Sequence, residues 1–305
     1  MFLSVVTPVY KADGIINTLV NLVTEECSSI TEKFEIILVN DGSPDNSWAV
    51  IMEVALLNKN VVGINLSRNF GQHAAINAGL ALAKGDCVIV MDCDMQHHPK
   101  YIPQLVNKIK EGYDIVFTTT AKRSHSFFKN MLSAIYHRIY NYLTELDSNY
   151  NFTTYSIASK KVITVYKTLD EYKGHYLPKL RWLGFKQTAI PIEHLARENG
   201  KSSYNIKALL IEGINGLTSN SVKLLRLNVF AGLLLSVVSF IAIAVIIAMY
   251  FISGFLAGWA SVTVLIMFSL GIILTSIGIT GLYIGQTFEQ VKKRPHYIVS
   301  DTVNG

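Results

Sequence analysis

The chain has 305 residues, 27 Lys+Arg against 22 Asp+Glu, a formal net charge of +5, a hydrophobic content of 50% and a charged content of only 16%. Its mean hydropathy is +0.32, and this composition excludes disordered, collagen-like and disulfide-scaffold proteins. Residues 227–288 contain no Asp, Glu, Lys, Arg or His. Because about 20 apolar residues span a bilayer as a helix, this block excludes both a purely soluble protein and a transporter with many spans.

The first 120 residues alternate short apolar runs with helical patterns. The apolar runs predict strands at 2–6, 34–39, 61–66, 87–91 and 115–119. Apolar residues at helical spacing predict helices at 14–30, 48–57, 71–83 and 102–110. Strands that alternate with helices of this length are typical of βαβ units, and unbroken apolar strands are typical of sheets covered on both faces. The sequence therefore predicts an α/β fold with a mostly parallel, Rossmann-like sheet, which we place within residues 1–205.

The C-terminal third predicts membrane attachment. Apolar residues at helical spacing among scattered Lys and Arg predict an amphipathic membrane-surface segment at 206–226, with an ordinary surface helix as the alternative. The uncharged block 227–288 predicts a hairpin of two transmembrane helices, at about 228–252 and 258–285.

Positive charge flanks both outer ends of this predicted hairpin. Lys223 and Arg226 precede the first span, Lys292, Lys293 and Arg294 follow the second, and the turn between the spans is uncharged. The positive-inside rule therefore predicts that the N-terminal domain, the tail 289–305 and both termini are cytoplasmic.

Acidic residues follow two of the predicted strands. Asp41 follows the second strand, and Asp92 and Asp94 follow the fourth, with Gln96 two residues later. Ligands of open parallel sheets bind at the carboxyl ends of the strands. Carboxylate and amide oxygens suit Mg²⁺ or Mn²⁺ carried with a diphosphate. The alternative is that Asp92 and Asp94 only cap the following turn.

Basic residues supply a second candidate feature. Arg123 and Lys129 lie beyond the fifth predicted strand, and Arg197 precedes the membrane-surface segment. Fixed cations of this kind hold phosphate groups, although a solvated basic face or attraction to anionic lipid headgroups is the alternative. The basic excess is modest and a membrane accounts for it, so we expect no nucleic-acid partner. The chain contains no Walker loop, no G-x-G-x-x-G and no G-x-S-x-G.

Several segments together resemble glycosyltransferase family 2. They are SVVTPVY, ILVNDGSPDNS, LSRNFGQHAAINAGLALAKGD and VIVMDCDMQHHP. Three later segments, RWLGFKQTAIPIEHLARENGKSSY, EGINGLTSNSVKLLRL and GQTFEQVKKRPHYIV, narrow the resemblance to the bacterial and phage bactoprenol glucosyltransferases, which are relatives of dolichol-phosphate mannose synthase. The resemblance covers nearly the whole chain.

This resemblance implies a GT-A fold and inverting transfer of a sugar from a nucleotide-sugar, by analogy a UDP-sugar, to polyprenyl phosphate such as undecaprenyl phosphate. It also implies Mg²⁺ or Mn²⁺ as cofactor, a lipid-linked product for surface-glycan modification such as that of O-antigen, and a multi-pass protein of the bacterial inner membrane. The resemblance implies that Pro8, Tyr10, Asp41 and Asp92 bind the nucleotide, and that Asp92, Asp94 and Gln96 bind the metal and the diphosphate. It implies that Arg123 and Lys129 belong to a basic loop near the phosphates. It places Arg197, Ser202 and Tyr204 on the acceptor side. Among these residues we expect Asp94, Arg123 and Arg197 to act in catalysis.

The chain departs from the family pattern at two places. Lys11-Ala12 follows Tyr10 where the family usually has Asn-Glu, and residues 151–154 read Asn-Phe-Thr-Thr where it usually has Asp-Phe-Arg-Leu. Two further interpretations stay open: a processive polysaccharide synthase of the same fold, and a non-catalytic membrane subunit with a degenerate transferase domain. Gly271, Gly278, Gly281 and Gly285 in the second span permit close helix packing, so a homo-oligomer is possible.

Overall fold

The computed structural model of the chain describes residues 1–120, 152–169, 171, 174–193, 223–253 and 258–305. The described residues divide into two compact units. The first unit contains residues 1–120, the described part of 152–193, and 294–305. The second contains the described part of 223–293. The domain boundaries expected from the sequence stay predictions.

The first unit is built on one mixed sheet. Its described strands are β1 (Leu3–Val9), β2 (Phe34–Asn40), β3 (Val61–Leu66), β4 (Cys87–Val90), β5 (Ile115–Thr120), β6 (Phe152–Ser159), β7 (Gln187–Ile192) and β8 (Val299–Val303). Their order across the sheet is β7-β5-β6-β4-β1-β2-β3-β8. Strands β1 to β4 are parallel to one another, as β5 is to β7, whereas β6 is antiparallel to β4 and β5 and β8 is antiparallel to β3. The predicted α/β fold with a mostly parallel sheet is confirmed.

Helices cover both faces of this sheet. They are α1 (Ile16–Ser28), α2 (Ser47–Leu57), α3 (Gln72–Leu82), α4 (Ile102–Lys110), α5 (Lys160–Thr168) and α6 (Tyr176–Trp182). Buried residues of α1, α2 and α4 form one hydrophobic cluster with one face of the strands, and those of α3, α5 and α6 form a second cluster with the other face. All seven residues of β1 and of β2 are therefore buried, which explains their unbroken apolar runs.

Strand β1 is longer than the sequence predicts. We expected Pro8 to end the run at 2–6, but the strand continues to Val9, with Pro8 paired to Val39 of β2. Proline lacks the amide proton that a ladder needs. On its other side β1 pairs with β4 only from Leu3 to Val6, so the position of Pro8 requires no partner there.

The second unit contains two long helices, α7 (Lys223–Ser253) and α8 (Trp259–Val291). Among the described residues one helical segment, Phe268–Val291, is long and apolar enough to cross a membrane, with a mean hydropathy of 1.7. The side-chain amide of Asn228 donates to Ser276 Oγ at 2.8 Å and thereby joins α7 to α8. The first predicted span falls within α7 and the second within α8 except for its first residue, Gly258, which caps the helix, while the membrane hairpin itself stays a prediction.

Candidate active site

The carboxyl ends of β1, β2 and β4 bring most of the predicted site residues to one edge of the sheet. Tyr10 and Asp41 directly follow β1 and β2, whose last residues, Val9 and Asn40, are paired. Asp92 lies two residues beyond Val90, which pairs with Val6 of β1. This edge is where an open parallel sheet binds its ligands.

Asp41 ties two loops of this edge together. Its carboxylate is buried and accepts the backbone amide protons of Phe70 at 2.7 Å and Gly71 at 3.0 Å. Burial raises the pKa of Asp41, while these two hydrogen bonds and the charge of Arg68 oppose the rise. The neighbouring Gly42 has a φ of +57°, and a Cβ there would lie 2.3 Å from the carbonyl carbon of Arg68. The loop after β2 and the loop before α3 are thus in direct contact.

A second set of hydrogen bonds joins the loop after β1 to the loop after β2. The backbone amide of Lys11 donates to Ser43 Oγ at 2.8 Å, and that of Ala12 donates to Ser47 Oγ at 3.2 Å. Burial disfavours the Asp45 carboxylate, but hydrogen bonds from Ser43, Ser47 and Asp13 outweigh it and lower the pKa of Asp45 to about 2. Lys11 and Ala12, which replace the family's Asn-Glu, therefore hold this loop through their backbone.

Tyr10 is the exposed member of this group. Its side chain is 44% exposed, and the Lys11 ammonium lies 5.5 Å from the centre of its ring. Pro8, in contrast, is buried within β1. Of these two predicted nucleotide residues, Tyr10 presents an aromatic surface at the sheet edge and Pro8 shapes the strand beneath it.

The loop after β4 carries Asp92, Asp94 and Gln96. Gln72, the first residue of α3, donates from Nε2 to Asp92 Oδ1 at 2.5 Å. Asp94 Oδ1 accepts the backbone amide of Gln96 at 3.2 Å. Between them Met95 has a φ of +57°, a conformation that is uncommon for a residue with a side chain. The two aspartates are half-buried and are held by contacts on both sides of the turn.

The donor chemistry of this loop fits a hard divalent cation. Asp92 and Asp94 supply carboxylate oxygens, which Mg²⁺ and Mn²⁺ prefer. Within the described ranges, no group of three or more His, Cys, Asp or Glu side chains is arranged to hold a metal. The nearby His98 caps the short turn Pro99–Tyr101 by accepting the amide of Lys100 at 3.0 Å. A metal held by two aspartates leaves coordination positions for diphosphate oxygens and water.

The remaining predicted residues lie outside the described part of the chain. They are Arg123, Lys129, Arg197, Ser202 and Tyr204. Asn151 also lies outside it, but the two threonines that follow Phe152 belong to β6. Thr118 Oγ1 donates to the carbonyl of Tyr155 at 2.7 Å, so the short Thr118–Thr153 hydrogen bond must be donated by Thr153. Thr153, which stands where the family has Arg, thus helps to join β5 to β6.

Sequence reasoning missed two residues of α3 at this edge. Gln72 contacts Asp92 directly, and the adjacent His73 shares a 2.7 Å hydrogen bond with His175. Burial, and then the neighbouring His175, lower the pKa of His73 to about 4, so this ring is neutral at pH 7. Sheet topology could have identified Gln72 and His73, because α3 begins shortly after β3 ends, at the same edge of the sheet as the aspartates.

A mostly parallel, Rossmann-like sheet with an Asp-x-Asp turn at its carboxyl edge is the arrangement of the GT-A fold. Solved structures agree on the fold. Glucosyl-3-phosphoglycerate synthase from Mycobacterium tuberculosis, in complex with Mn²⁺, UDP and phosphoglyceric acid, has a TM-score of 0.51 at 18% identity, covering 72% of this chain and 76% of that one. Its complex with Mg²⁺ and UDP also scores 0.51, at 17% identity and with 72% and 77% coverage.

The chain belongs to glycosyltransferase family 2, whose model matches residues 4–166, and it is a glycosyltransferase. It is 33% identical to the uncharacterized glycosyltransferase YkcC of Bacillus subtilis over 97% of this chain and 92% of that protein. It is also 32% identical to the undecaprenyl-phosphate 4-deoxy-4-formamido-L-arabinose transferase of Aeromonas hydrophila, over 98% of this chain and 93% of that enzyme.

Proposed function

We propose that this enzyme transfers one sugar from a nucleotide-sugar, of the UDP class, to a polyprenyl phosphate such as undecaprenyl phosphate. The observation that carries the proposal is the combination of an Asp92–Asp94 turn at the sheet edge with a membrane-length apolar helix, Phe268–Val291, in one chain. A relative named for undecaprenyl phosphate aligns over 98% of the chain, including these helices. A lipid acceptor explains why a soluble sheet domain and long apolar helices occur together.

The donor lies at the edge formed by the loops after β1, β2 and β4. Tyr10 offers an exposed ring to the base, and Asp41 holds the loops that form the nucleotide cleft. Asp92 and Asp94, with Gln96 beside them, would hold Mg²⁺ or Mn²⁺, which would supply positive charge against the leaving diphosphate when bound. Gln72 orients Asp92 through its amide.

The acceptor needs little activation. The second pKa of a phosphate monoester is about 6, so it is largely dianionic at pH 7 and already nucleophilic. Its oxygen forms a bond to the anomeric carbon as the bond to the nucleoside diphosphate breaks, with inversion. The enzyme must therefore align the two substrates and offset the repulsion between two anions. We assign this task to Arg123, Lys129 and Arg197, with Ser202 and Tyr204 on the acceptor side. A replaced carboxylate at Asn151 is compatible with such a reaction.

Strand β8 supports a location of both ends of the membrane segment on the same side of the bilayer, and the flanking Lys and Arg residues favour the cytoplasmic side. Strands β7 and β8, which lie before and after α7 and α8 in the chain, belong to the same sheet. This shared sheet is compatible with an even number of membrane crossings between β7 and β8. We propose two crossings, a surface segment at 206–226, and a multi-pass protein of the bacterial inner membrane that provides lipid-linked sugar for surface glycans such as O-antigen. Glycines of α8 such as Gly278 and Gly281 would allow association of copies.

A product assay tests this proposal. Full-length protein in detergent is incubated with undecaprenyl phosphate, Mn²⁺ and a panel of nucleotide-sugars, and lipid products are identified by mass spectrometry. We expect one donor to give undecaprenyl phosphate plus one sugar, and Asp94→Ala to abolish this product. Asp114→Asn is the matched control and should retain activity. Asp114 directly precedes β5, and its carboxylate pairs with Lys161 of α5. A lipid product that persists in Asp94→Ala would contradict the proposal, as would sugar transfer that occurs only in a parallel reaction with a soluble acceptor such as 3-phosphoglycerate.

A further inference from the structure

The C-terminal strand β8 is connected to the candidate donor site by a chain of side-chain amides. Asn65 of β3 donates from Nδ2 to Asp301 Oδ2 of β8 at 3.3 Å. Asn40, the last residue of β2, donates from Nδ2 to Asn65 Oδ1 at 2.8 Å. Asn40 Oδ1 in turn accepts the backbone amide of Ser43 at 3.4 Å. The chain thus runs from the tail across two strands to the loop that carries Asp41 and Asp45.

The chemistry of its two ends fixes the direction of this chain. The Asp301 carboxylate can only accept, so Asn65 must direct its amide nitrogen toward it and its oxygen toward Asn40. The amide of Ser43 can only donate, so Asn40 must offer it an oxygen. All three hydrogen bonds therefore point the same way and end on a negative charge, an arrangement in which neighbouring bonds strengthen each other. Asn40 is 3% exposed, and it cannot lose its partners without leaving a buried polar group unsatisfied.

The strand that supplies Asp301 is held at both of its ends. At one end the Ser67 amide donates to the carbonyl of Ile298 at 2.9 Å, and at the other the Asn304 side chain donates to the carbonyl of Val61 at 3.0 Å. Val303 packs against Gly63, where a Cβ would lie 2.6 Å from Val303 Cγ1. The strand is thus held closely against the edge of β3, where Asp301 is paired with Asn65.

We propose that Asp301, through Asn65 and Asn40, is a positioning residue for the loop after β2 and so for the nucleotide of the donor. This proposal rests on the proposed function, because it assumes that this loop binds the nucleotide. Ser43, whose amide donates to Asn40, also accepts the Lys11 amide through its hydroxyl. The series of hydrogen bonds therefore helps to position the loops after both β1 and β2. Only residues 292–298 separate α8 from β8 along the chain.

The alternative is that β8 only protects the edge of the sheet from pairing with other chains. Asp301→Ala distinguishes the positioning role from the edge-covering role, because it keeps the backbone pairing of β8 and removes the carboxylate that ends the series of side-chain hydrogen bonds. We expect a three- to tenfold rise in KM for the nucleotide-sugar, the effect of losing one hydrogen bond to a charged group that is exposed to solvent, with kcat changed less than twofold. Asp301→Asn keeps an acceptor oxygen and should restore KM to within about twofold. Thr302→Ala, at the adjacent position of the same strand, is the control and should leave both constants unchanged.

Hydrogen exchange gives a readout that does not require catalysis. We expect the amides of residues 42–47 to exchange faster in Asp301→Ala, while the β3 amides beneath β8 keep their protection. Unchanged KM together with unchanged exchange in residues 42–47 would overturn the inference and leave β8 as an edge cover. If wild-type protein neither binds nucleotide nor transfers sugar, the proposed function fails, and the exchange result still decides whether Asp301 holds the loop.

Discussion

Replacing Gln72 with alanine tests whether the Asp92 carboxylate must be oriented for activity. Gln72 Nε2 lies 2.5 Å from Asp92 Oδ1, and a hydrogen bond to a charged group contributes about 1.5–3 kcal/mol. Because Asp92 is half-buried, we take the lower end, about 1.5 kcal/mol, which corresponds to roughly a tenfold loss of kcat/KM at about 1.4 kcal/mol per decade. The Mn²⁺ concentration for half-maximal activity should rise as well, because a carboxylate that is less firmly oriented binds metal less well.

The assay is the initial rate of glycolipid formation across a Mn²⁺ titration. Asn77→Ala is the matched control on the same helix, because Asn77 Oδ1 accepts the hydroxyl of Tyr166 at 3.0 Å on the side that faces α5. This variant should lose about 1 kcal/mol of stability and keep the wild-type Mn²⁺ dependence. A Gln72→Ala enzyme with wild-type kcat/KM and an unchanged Mn²⁺ midpoint would refute the reasoning.

Three further predictions concern the framework of the site. Asp41→Asn replaces one acceptor oxygen with an NH₂ group that faces a backbone amide of Phe70 or Gly71. We expect urea unfolding to show a loss of about 1–3 kcal/mol in stability, together with weaker nucleotide binding. An unchanged unfolding midpoint would contradict this prediction. Gly79→Ala places a Cβ 2.4 Å from Val6 Cγ1 and should lower the free energy of unfolding by about 1–3 kcal/mol. At Gly112 a Cβ would meet no atom within 4 Å, but φ is +90°, so Gly112→Ala should lower the free energy of unfolding through backbone strain alone. His73 has a pKa of about 4 instead of 6.5, so the unfolded chain binds a proton that the folded chain does not, and stability should fall as the pH drops from 6.5 toward 4. His73→Gln should flatten that part of the stability profile, and an equally steep profile in the variant would locate the titrating group elsewhere.

The central strands are predictable because they are buried on both faces. Strands β1 and β2 show unbroken apolar runs, and burial of every residue by helices on two sides is the reason. Strand β6 lies in the interior of the same sheet but carries Thr and Ser residues, of which Thr153 and Ser156 hydrogen-bond to Thr118 and Tyr176. Strand β8 is largely exposed and reads as polar. Local pattern does not identify strands of these two kinds, because distant contacts stabilise them.

The candidate site also has a part that the sequence predicts and a part that it does not. The sequence predicts Asp41, Asp92 and Asp94 at one edge, because each follows a parallel strand and such strand ends meet. It does not predict the partners that hold them in place. Gln72 reaches Asp92 across 20 positions of sequence, and Asp301 reaches Asn65 across 236. These pairs depend on strand order and register, which single-sequence periodicity does not contain.

The structure of the lipid product tests the central claim most directly. Once a donor is found, the purified glycolipid is analysed by mass spectrometry and by phosphorus and proton NMR. The account predicts one sugar joined to one phosphate, with the anomeric configuration opposite to that of the donor. A diphosphate-linked sugar, a retained configuration or a growing chain of sugars would contradict it, and a growing chain would indicate a processive polysaccharide synthase.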